Sequence, residues 1–169
     1  NNRNELVDVY DFFKLLWEGD YRSERVIIMG MGFVGLTVAV ALARVGFRVT
    51  GVDINNEVIA RLRDCDSPIH EPGLNEMLNQ FQSAGTLDFS NSLEQVETTR
   101  STYIVAVGTP VLEDGEPDNS ALIRCIEHIS TYLGVGDQVV IRSTVPVGTT
   151  RKQVKPLLEQ ETGLTVGTE

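Results

Sequence analysis

The chain has 169 residues, with 14 Lys and Arg against 24 Asp and Glu, so its formal net charge at pH 7 is −10. That length predicts one domain, and an apolar content of 41% is enough to build its core. The acidic balance argues against binding to nucleic acid or to an anionic membrane surface, because both need a basic face on the protein.

Residues 4–18 are predicted to form an amphipathic helix. Its apolar side chains fall at helical spacing along one stripe: Leu6, Val9, Tyr10, Phe13, Leu16 and Trp17. Such a stripe either packs on the domain that follows or binds a partner, and packing is the commoner use. We therefore predict that residues 1–24 are a helical extension and linker, and that residues 25–169 form the domain.

From residue 25 onward, short apolar runs alternate with helical patterns. Strands are predicted at 26–29, 47–52, 86–89, 102–107 and 138–141. Helices are predicted at 33–45, 57–63, 74–83, 119–133 and 149–162, with a short one capped by Ser92 and an unfinished element at 164–166. This alternation predicts an α/β fold, a Rossmann-like doubly wound parallel sheet with helices on both faces.

The first predicted strand runs directly into the sequence Gly-Met-Gly-Phe-Val-Gly at 30–35. This G-x-G-x-x-G pattern stands between a strand and a helix, as in dinucleotide-binding proteins. Gly30 permits the tight turn, Gly32 lets the backbone approach a pyrophosphate, and Gly35 allows close helix packing. The helix N-terminus then offers N–H groups and a positive dipole end to the phosphates. A glycine-rich turn without a ligand is the alternative.

Asp53 ends the second predicted strand, at the distance from the glycines where an acidic residue binds the adenine ribose. Its charge would repel a 2′-phosphate, and no Arg follows within 54–56, which favours NAD over NADP. A helix N-cap at Asp53 is the alternative, and it is compatible with ligand binding.

The loops after the fourth and fifth predicted strands should complete the site, because ligands lie outside the carboxyl ends of parallel strands. These loops, 107–110 and 142–150, place small hydroxyl residues where a nicotinamide would lie. The residues are Thr109, Ser143 and Thr144. Ordinary turn chemistry explains them equally well.

Together these motifs resemble the UDP-glucose/GDP-mannose dehydrogenase family. The resemblance rests on the glycine motif, Val-Asp-Ile-Asn at 52–55, Glu-Pro-Gly-Leu at 71–74, Val-Gly-Thr-Pro at 107–110 and Ser-Thr-Val-Pro-Val-Gly at 143–148. It covers the chain from about residue 25 onward. Members oxidise the C6 hydroxymethyl of a nucleotide sugar to a carboxylate with two NAD per turnover and need no metal.

The resemblance implies that NAD binds at Gly30, Gly32, Phe33, Val34, Gly35, Asp53, Thr109, Ser143 and Thr144. Thr144 matches a family threonine that positions catalytic water or substrate, so it is the catalytic candidate. Glu71 stands in a family motif, but no chemical role can be assigned to it. The nucleotide sugar would bind mainly outside this chain, and the parent protein is expected to be a homo-oligomer active in polysaccharide biosynthesis.

The family's nucleophilic cysteine, with its lysine and asparagine, and its glutamate base have no counterpart here. Cys65 and Cys125 lie in other contexts and are interpreted as small buried apolar residues. His70 and His128 lack the convergent partners of a metal site. The acidic run at 113–118 is interpreted as solvated. Arg151, Lys152 and Lys155 either contact a substrate phosphate or form a solvent-facing helix surface.

Cellular location follows from what the sequence lacks. No segment approaches the roughly 20 apolar residues of a membrane span, and no leader opens the sequence. Two cysteines are too few for a disulfide framework. We therefore expect a cytoplasmic protein. The start at Asn1 without Met and the end at Glu169 in mid-pattern suggest a piece excised from a longer protein.

Three functions therefore remain open. The first is the NAD-binding domain of a nucleotide-sugar 6-dehydrogenase, inactive on its own. The second is another Rossmann dehydrogenase, of the 3-hydroxyacid or 6-phosphogluconate type, which shares the glycines and the acidic residue. The third is a non-catalytic nucleotide-binding sensor.

Overall fold

A computed structural model describes residues 25–96, 100–113 and 115–168. The predicted helix at 4–18 lies outside the described residues. Five strands follow in chain order: β1 (Arg25–Met29), β2 (Arg48–Val52), β3 (Leu87–Ser90), β4 (Ser101–Val105) and β5 (Gln138–Ile141). They form one parallel sheet with the order β3-β2-β1-β4-β5. The predicted doubly wound α/β fold is confirmed.

The helices connect these strands. They are α1 (Phe33–Arg44), α2 (Asn56–Arg63), α3 (Leu74–Ser83), α4 (Ser120–Ser130) and α5 (Lys155–Thr162), with a 3₁₀ turn at Leu93–Gln95 and a π turn at Thr150–Val154. Ser92 accepts a hydrogen bond from the N–H of Glu94, which confirms the predicted cap of the short helix. No helix in the described ranges is both long and apolar enough to cross a membrane.

The central strand β1 separates two apolar clusters, one on each face of the sheet. Ile27 and Ile28 are both fully buried, and because successive strand side chains point to opposite faces, they enter different clusters. The cluster around Ile28 contains apolar residues of α1, α2 and α3. The cluster around Ile27 contains those of α4 and α5. Helices therefore cover both faces, as predicted, and they fix the positions of the loops at the sheet edges.

Helix α1 ends where the sequence predicts. Gly46 follows it with φ of +98°, a conformation that glycine adopts without a Cβ clash. The N–H of Gly46 donates to the carbonyl of Ala43, and the N–H of Phe47 donates to that of Leu42. These bonds close the helix and turn the chain into β2.

Strand β4 and helix α4 each end before their predicted last residue. Strand β4 stops at Val105 instead of 107, although the N–H of Ala106 still donates to the carbonyl of Met29. Helix α4 stops at Ser130 instead of 133, where the Thr131 hydroxyl donates to the carbonyl of His128. The unfinished element predicted at 164–166 is neither helix nor strand, and the N–H of Leu164 donates to the Thr162 hydroxyl.

The last predicted helix begins with a π turn instead of a regular α turn. The N–H of Lys155 donates to the carbonyl of Thr150, five residues back. Pro156 follows immediately and has no N–H to continue an α ladder, and its ring crowds the preceding turn. The wider first turn accommodates both effects.

The start of α4 is capped by a side chain that precedes its N-cap residue. Asn119 is the N-cap residue, but its side chain makes no cap bond. Instead the Asp118 carboxylate accepts a hydrogen bond from the N–H of Ser120, and hydrogen bonding to Ser120 lowers the pKa of Asp118. One acidic side chain of the 113–118 run therefore has a structural function.

Candidate functional site

The loops that follow β1, β2, β4 and β5 meet at the carboxyl edge of the sheet. The N–H of Gly30 donates to the carbonyl of Val52 at 2.7 Å, so the β1 loop continues against β2. Gly30 has φ of +97°, and a Cβ on it would lie 2.9 Å from the Ala106 carbonyl oxygen. The glycine turn is thus in backbone contact with the segment after β4.

The third glycine of the motif serves the fold. A Cβ built on Gly35 would collide with the carbonyl of Gly30. Gly35 is buried in the first turn of α1, where the helix passes directly over the turn. Its role in close packing agrees with the prediction from the motif.

Gly32 is different, because nothing in the described protein requires glycine there. Its φ of −71° is open to any residue, and a Cβ built on it meets no heavy atom within 4 Å. It is the N-cap residue of α1, and no side chain caps that helix. An anionic group can therefore approach the bare backbone and the positive end of the helix dipole. These residues fit a dinucleotide pyrophosphate.

Asp53 lies beside this turn. Its Oδ2 accepts a hydrogen bond from the N–H of Met31 at 2.7 Å, and its Oδ1 accepts one from the N–H of Asn55 at 2.9 Å. The capping alternative for Asp53 is wrong, since Asn55 is the N-cap of α2 and its Oδ1 accepts from Glu57 and Val58. Each Asp53 oxygen keeps further lone pairs, and a carboxylate accepts several hydrogen bonds.

The sequence analysis did not single out Met31 and Gly51, the two residues that position the glycine turn. Met31 is almost fully buried, and a Cβ on Gly51 in β2 would collide with the Met31 sulfur. Gly51 thus makes room for the Met31 side chain, while the Met31 backbone contacts Asp53. A glycine inside a strand was the available signal, because it often marks a close approach.

The loops after β4 and β5 are joined by two crossed hydrogen bonds. The Thr109 hydroxyl donates to the carbonyl of Thr144 at 2.6 Å, and the Ser143 hydroxyl donates to the carbonyl of Val107 at 2.6 Å. We call this pair of bonds the crossed clamp. A carbonyl oxygen only accepts, so both hydroxyl protons are committed to it. Thr109 and Ser143 therefore offer a ligand only their acceptor lone pairs.

Three predicted site residues have exposed side chains at this edge. Phe33 is 60% exposed and Val34 39% exposed, both in the first turn of α1. Thr144 is exposed, and within the part of the chain that the structure describes its hydroxyl has no partner. The structure thus brings every predicted site residue to one edge and leaves these three open to a ligand.

Glu71 and the two cysteines lie outside this group. Glu71 is exposed in the turn before α3, where its carbonyl accepts from the N–H of Leu74. Cys125 is buried in α4, and burial raises the pKa of its thiol to about 12. Cys65 is only half-buried, contrary to the prediction, and its sulfur accepts a hydrogen bond from the Gln82 amide. Cys125 belongs to the apolar cluster around Ile27, and Cys65 packs against the cluster around Ile28.

The remaining charged candidates are exposed. His128 is exposed on α4 and lies beside the Tyr132 ring, and His70 is exposed in a loop. Arg151 and Lys152 are exposed, while the Lys155 ammonium lies 3.6 Å from the Glu159 carboxylate. Among the residues with described positions, no three His, Cys, Asp or Glu side chains form a group suited to a metal ion.

Known proteins identify the family. The profile of the UDP-glucose/GDP-mannose dehydrogenase family, NAD binding domain, matches residues 24–169. The chain belongs to this family. Its glycine turn and Asp53 lie in the family's NAD-binding domain, which is the domain that the described fold represents.

Individual dehydrogenases of the family agree with this assignment. The UDP-N-acetyl-D-mannosamine dehydrogenase of Pyrococcus horikoshii is 35% identical over 145 residues, which is 86% of this chain and 34% of that protein. The UDP-glucose 6-dehydrogenase of Pseudomonas aeruginosa is 38% identical over 128 residues, 76% of this chain and 28% of that protein. The chain therefore spans about a third of the length of these dehydrogenases.

A solved structure of the family shows the same fold. A ternary complex of GDP-mannose dehydrogenase from Pseudomonas aeruginosa superimposes with a TM-score of 0.79 and 31% identity. The match covers 83% of this chain and 33% of that structure. The similarity therefore extends over most of the chain.

Proposed function

We propose that residues 25–169 are the NAD-binding domain of a nucleotide-sugar 6-dehydrogenase, and that residues 1–24 are an extension preceding it. The observation that carries the proposal is the pair formed by Gly32 and Asp53. Gly32 exposes bare backbone although no neighbouring atom of the protein requires a glycine there, and Asp53 is hydrogen-bonded to the neighbouring Met31. A dinucleotide needs both features, one for its pyrophosphate and one for its adenine ribose.

Different residues of the site bind different parts of the dinucleotide. Gly30, Gly32 and Gly35, with Phe33 and Val34 at the start of α1, hold the pyrophosphate region. Asp53 accepts from the adenine ribose hydroxyls and disfavours a 2′-phosphate. Thr109, Ser143 and Thr144 lie across the sheet edge, where the nicotinamide half extends.

NAD, when bound, supplies a hydride acceptor for oxidation of the sugar carbon. This chain's residues contribute binding and orientation. The crossed clamp holds two loops together, and Thr109 and Ser143 accept hydrogen bonds from ribose or carboxamide groups. Thr144 keeps its hydroxyl free to hold a water or a substrate hydroxyl, and this assigns it a catalytic positioning function.

We infer further that the parent protein oxidises the C6 hydroxymethyl of a nucleotide sugar to a carboxylate, with two NAD per turnover. The support comes from the relatives, which are dehydrogenases of UDP-N-acetyl-D-mannosamine, UDP-glucose or GDP-mannose. Cys125 is buried with a raised thiol pKa, and the Cys65 sulfur accepts a hydrogen bond from Gln82, so we assign the covalent step to other parts of the parent. The parent would act as a homo-oligomer in the cytoplasm.

Calorimetric titration of NAD and NADP into the 169-residue chain tests the proposal. We expect NAD to bind and NADP to bind more weakly, because Asp53 opposes the 2′-phosphate. The chain with NAD and UDP-glucose, UDP-N-acetylmannosamine or GDP-mannose should produce no NADH. If the folded chain does not bind NAD, the proposal is rejected. If the chain alone forms NADH, the covalent step does not depend on parts of the parent outside this chain.

A further inference from the structure

Arginines gather at the edge of the sheet opposite the candidate site, which we call the amino edge because the strands begin there. Arg48 is the first residue of β2 and is opposite Arg25, the first residue of β1. Arg25 is also opposite Ser101, the first residue of β4, and Arg100 precedes Ser101. Because neighbouring strands lie about 4.8 Å apart, the backbones of these three arginines lie within roughly 10 Å of one another. Arg44 ends α1, just before the turn into β2.

Three of these arginines have no acidic partner in the part of the chain that the structure describes. Arg44, Arg48 and Arg100 are exposed, and none of them forms a salt bridge there. Asp137 lies at the same edge, but each of its carboxylate oxygens already accepts a hydrogen bond from a backbone N–H. Like charges placed side by side repel each other, so this arrangement by itself does not stabilise the fold.

The backbone of Arg100 is also unfavourable for a residue with a side chain. Its φ is +49°, in the left-handed region that glycine adopts without a Cβ clash. The Arg100 side chain is exposed, so packing within the domain does not require it. The fold alone therefore favours glycine at this position over arginine.

Exposed apolar residues flank the arginines on both sides. Val45, in the turn between α1 and β2, is 46% exposed, and Val135, in the turn before β5, is 71% exposed. Asp137 holds this second turn beside β4, because its Oδ1 accepts from the N–H of Ser101. The exposed residues form what we call the amino-edge patch: Arg44, Val45, Arg48, Arg100 and Val135. Apolar side chains between unpaired arginines suit an amphipathic segment that carries acidic residues.

The predicted helix at 4–18 has this character. Its charged residues are four acidic residues and one lysine: Glu5, Asp8, Asp11, Glu18 and Lys14. An isolated helix of this length is marginal in water, so its apolar stripe needs a surface to pack against. The linker of residues 19–24 joins it to Arg25, in the middle of the arginine row, and six residues span at most about 20 Å. The amino-edge patch is therefore within reach of the segment.

We propose that the amino-edge patch is the docking surface for residues 4–18 of the same chain. The apolar stripe packs against Val45 and Val135, and acidic side chains of the segment pair with the arginines of the patch. The short linker gives the segment a high effective concentration at this surface. The docked segment lies at the edge opposite the glycine turn and Asp53, so it leaves the candidate NAD site open. The inference does not depend on NAD binding.

Trp17 is the only tryptophan of the chain, so its fluorescence in the full 169-residue protein tests this contact directly. In the native wild type, emission should lie at shorter wavelength than in urea, and acrylamide should quench it less, because docking buries the indole. The double variant Arg48→Glu/Arg100→Glu should shift the emission to longer wavelength and increase quenching. Val135→Asp, made separately, should have the same effect.

Matched controls place the same changes at exposed positions away from the patch. Arg124→Glu on α4 and Ile54→Asp after β2 should leave the Trp17 emission at the wild-type wavelength. Phe13→Asp alters the segment and not the domain, and it should expose Trp17 even if a patch variant fails to fold. Circular dichroism shows whether each variant is folded. Calorimetry should give wild-type NAD affinity in the patch variants.

Wild-type emission equal to that of the urea-unfolded chain overturns the inference. So does a buried Trp17 that responds to Phe13→Asp but to neither patch variant, since the segment then packs on another surface. Burial that is lost on dilution also overturns it, because a second copy of the chain would then be the partner. A chain with a docked segment that binds no NAD overturns the proposed function and leaves this inference standing.

Discussion

The Asp53 carboxylate and the Met31 backbone N–H are hydrogen-bonded at 2.7 Å, although 22 residues separate them. The second carboxylate oxygen accepts from Asn55, at the start of α2. One side chain therefore joins the glycine turn after β1 to the loop after β2. Asp53 thereby fixes the glycine turn, and its remaining lone pairs are the ones that we propose for the adenine ribose.

Replacing Asp53 by Ala should therefore affect stability and binding together. Two backbone donors lose their acceptor, which costs about 1–3 kcal/mol in the free energy of unfolding. NAD affinity should fall by roughly tenfold or more, because the ribose acceptor is lost as well. Urea unfolding and calorimetry measure the two effects. Asp64→Ala, at an exposed aspartate after α2, is the matched control. Unchanged NAD affinity in Asp53→Ala would remove Asp53 from the site.

The first and last glycines of the motif should behave differently from the middle one. Gly35→Ala places a methyl group against the Gly30 carbonyl, so α1 must shift, at a cost of about 1–3 kcal/mol or more. Gly32→Ala meets nothing in the described protein, so the urea midpoint should stay at the wild-type value or rise slightly while NAD binding weakens. Equal destabilisation by the two substitutions would contradict this division of roles.

The crossed clamp can be opened one bond at a time. Thr109→Val and Ser143→Ala each remove a hydroxyl donor, which should lower the free energy of unfolding by about 0.5–1.5 kcal/mol. Amide hydrogen exchange should become faster in both loops, because each bond ties one loop to the other. Thr109→Ser keeps the hydroxyl and should restore slow exchange and NAD affinity. A Thr109→Ser variant that behaves like Thr109→Val would show that packing of the methyl group, not the hydrogen bond, matters.

Burial of Cys125 predicts a specific alkaline weakness. Its thiol pKa is raised from 9.0 to about 12, so the folded state favours the neutral form. This stability is complete below pH 9.0 and is lost as pH rises toward about 12, because the unfolded chain ionises first. The loss should reach on the order of 1 kcal/mol one pH unit above the unfolded value.

Urea unfolding over this pH range checks the prediction. The free energy of unfolding should fall more steeply with pH in the wild type than in Cys125→Ala. Cys65→Ala retains the buried thiol and should follow the wild-type slope. Parallel slopes for all three proteins would contradict a contribution from Cys125.

The sequence predicted most reliably the elements that are buried throughout or that end at a local chemical signal. The apolar run of β1 is buried on both faces, and the Gly46 turn follows from local chemistry, so both were predictable. The ends of β4 and α4 were not, because side-chain hydroxyls of the surrounding loops compete there for backbone carbonyls. Strand β5 was predicted from an apolar run, and as an edge strand it exposes Val140.

In the candidate site, too, local patterns predicted some features, whereas contacts between distant segments could not be predicted. The motif spacing predicted that Gly30, Gly32 and Asp53 lie at one edge of the sheet, because the carboxyl ends of parallel strands meet there. The Asp53–Met31 bond and the crossed clamp join segments that are distant in sequence, and no local pattern marks such contacts.

The central position of β1 also has a consequence for synthesis of the chain. Arg25 of β1 is opposite Arg48 on one side and Ser101 on the other, and the second partner is translated much later. Until β4 leaves the ribosome, one edge of β1 presents unpaired backbone groups beside the apolar residues Ile27 and Ile28. Nascent chains that stop before β4 should therefore aggregate more readily than chains that include it.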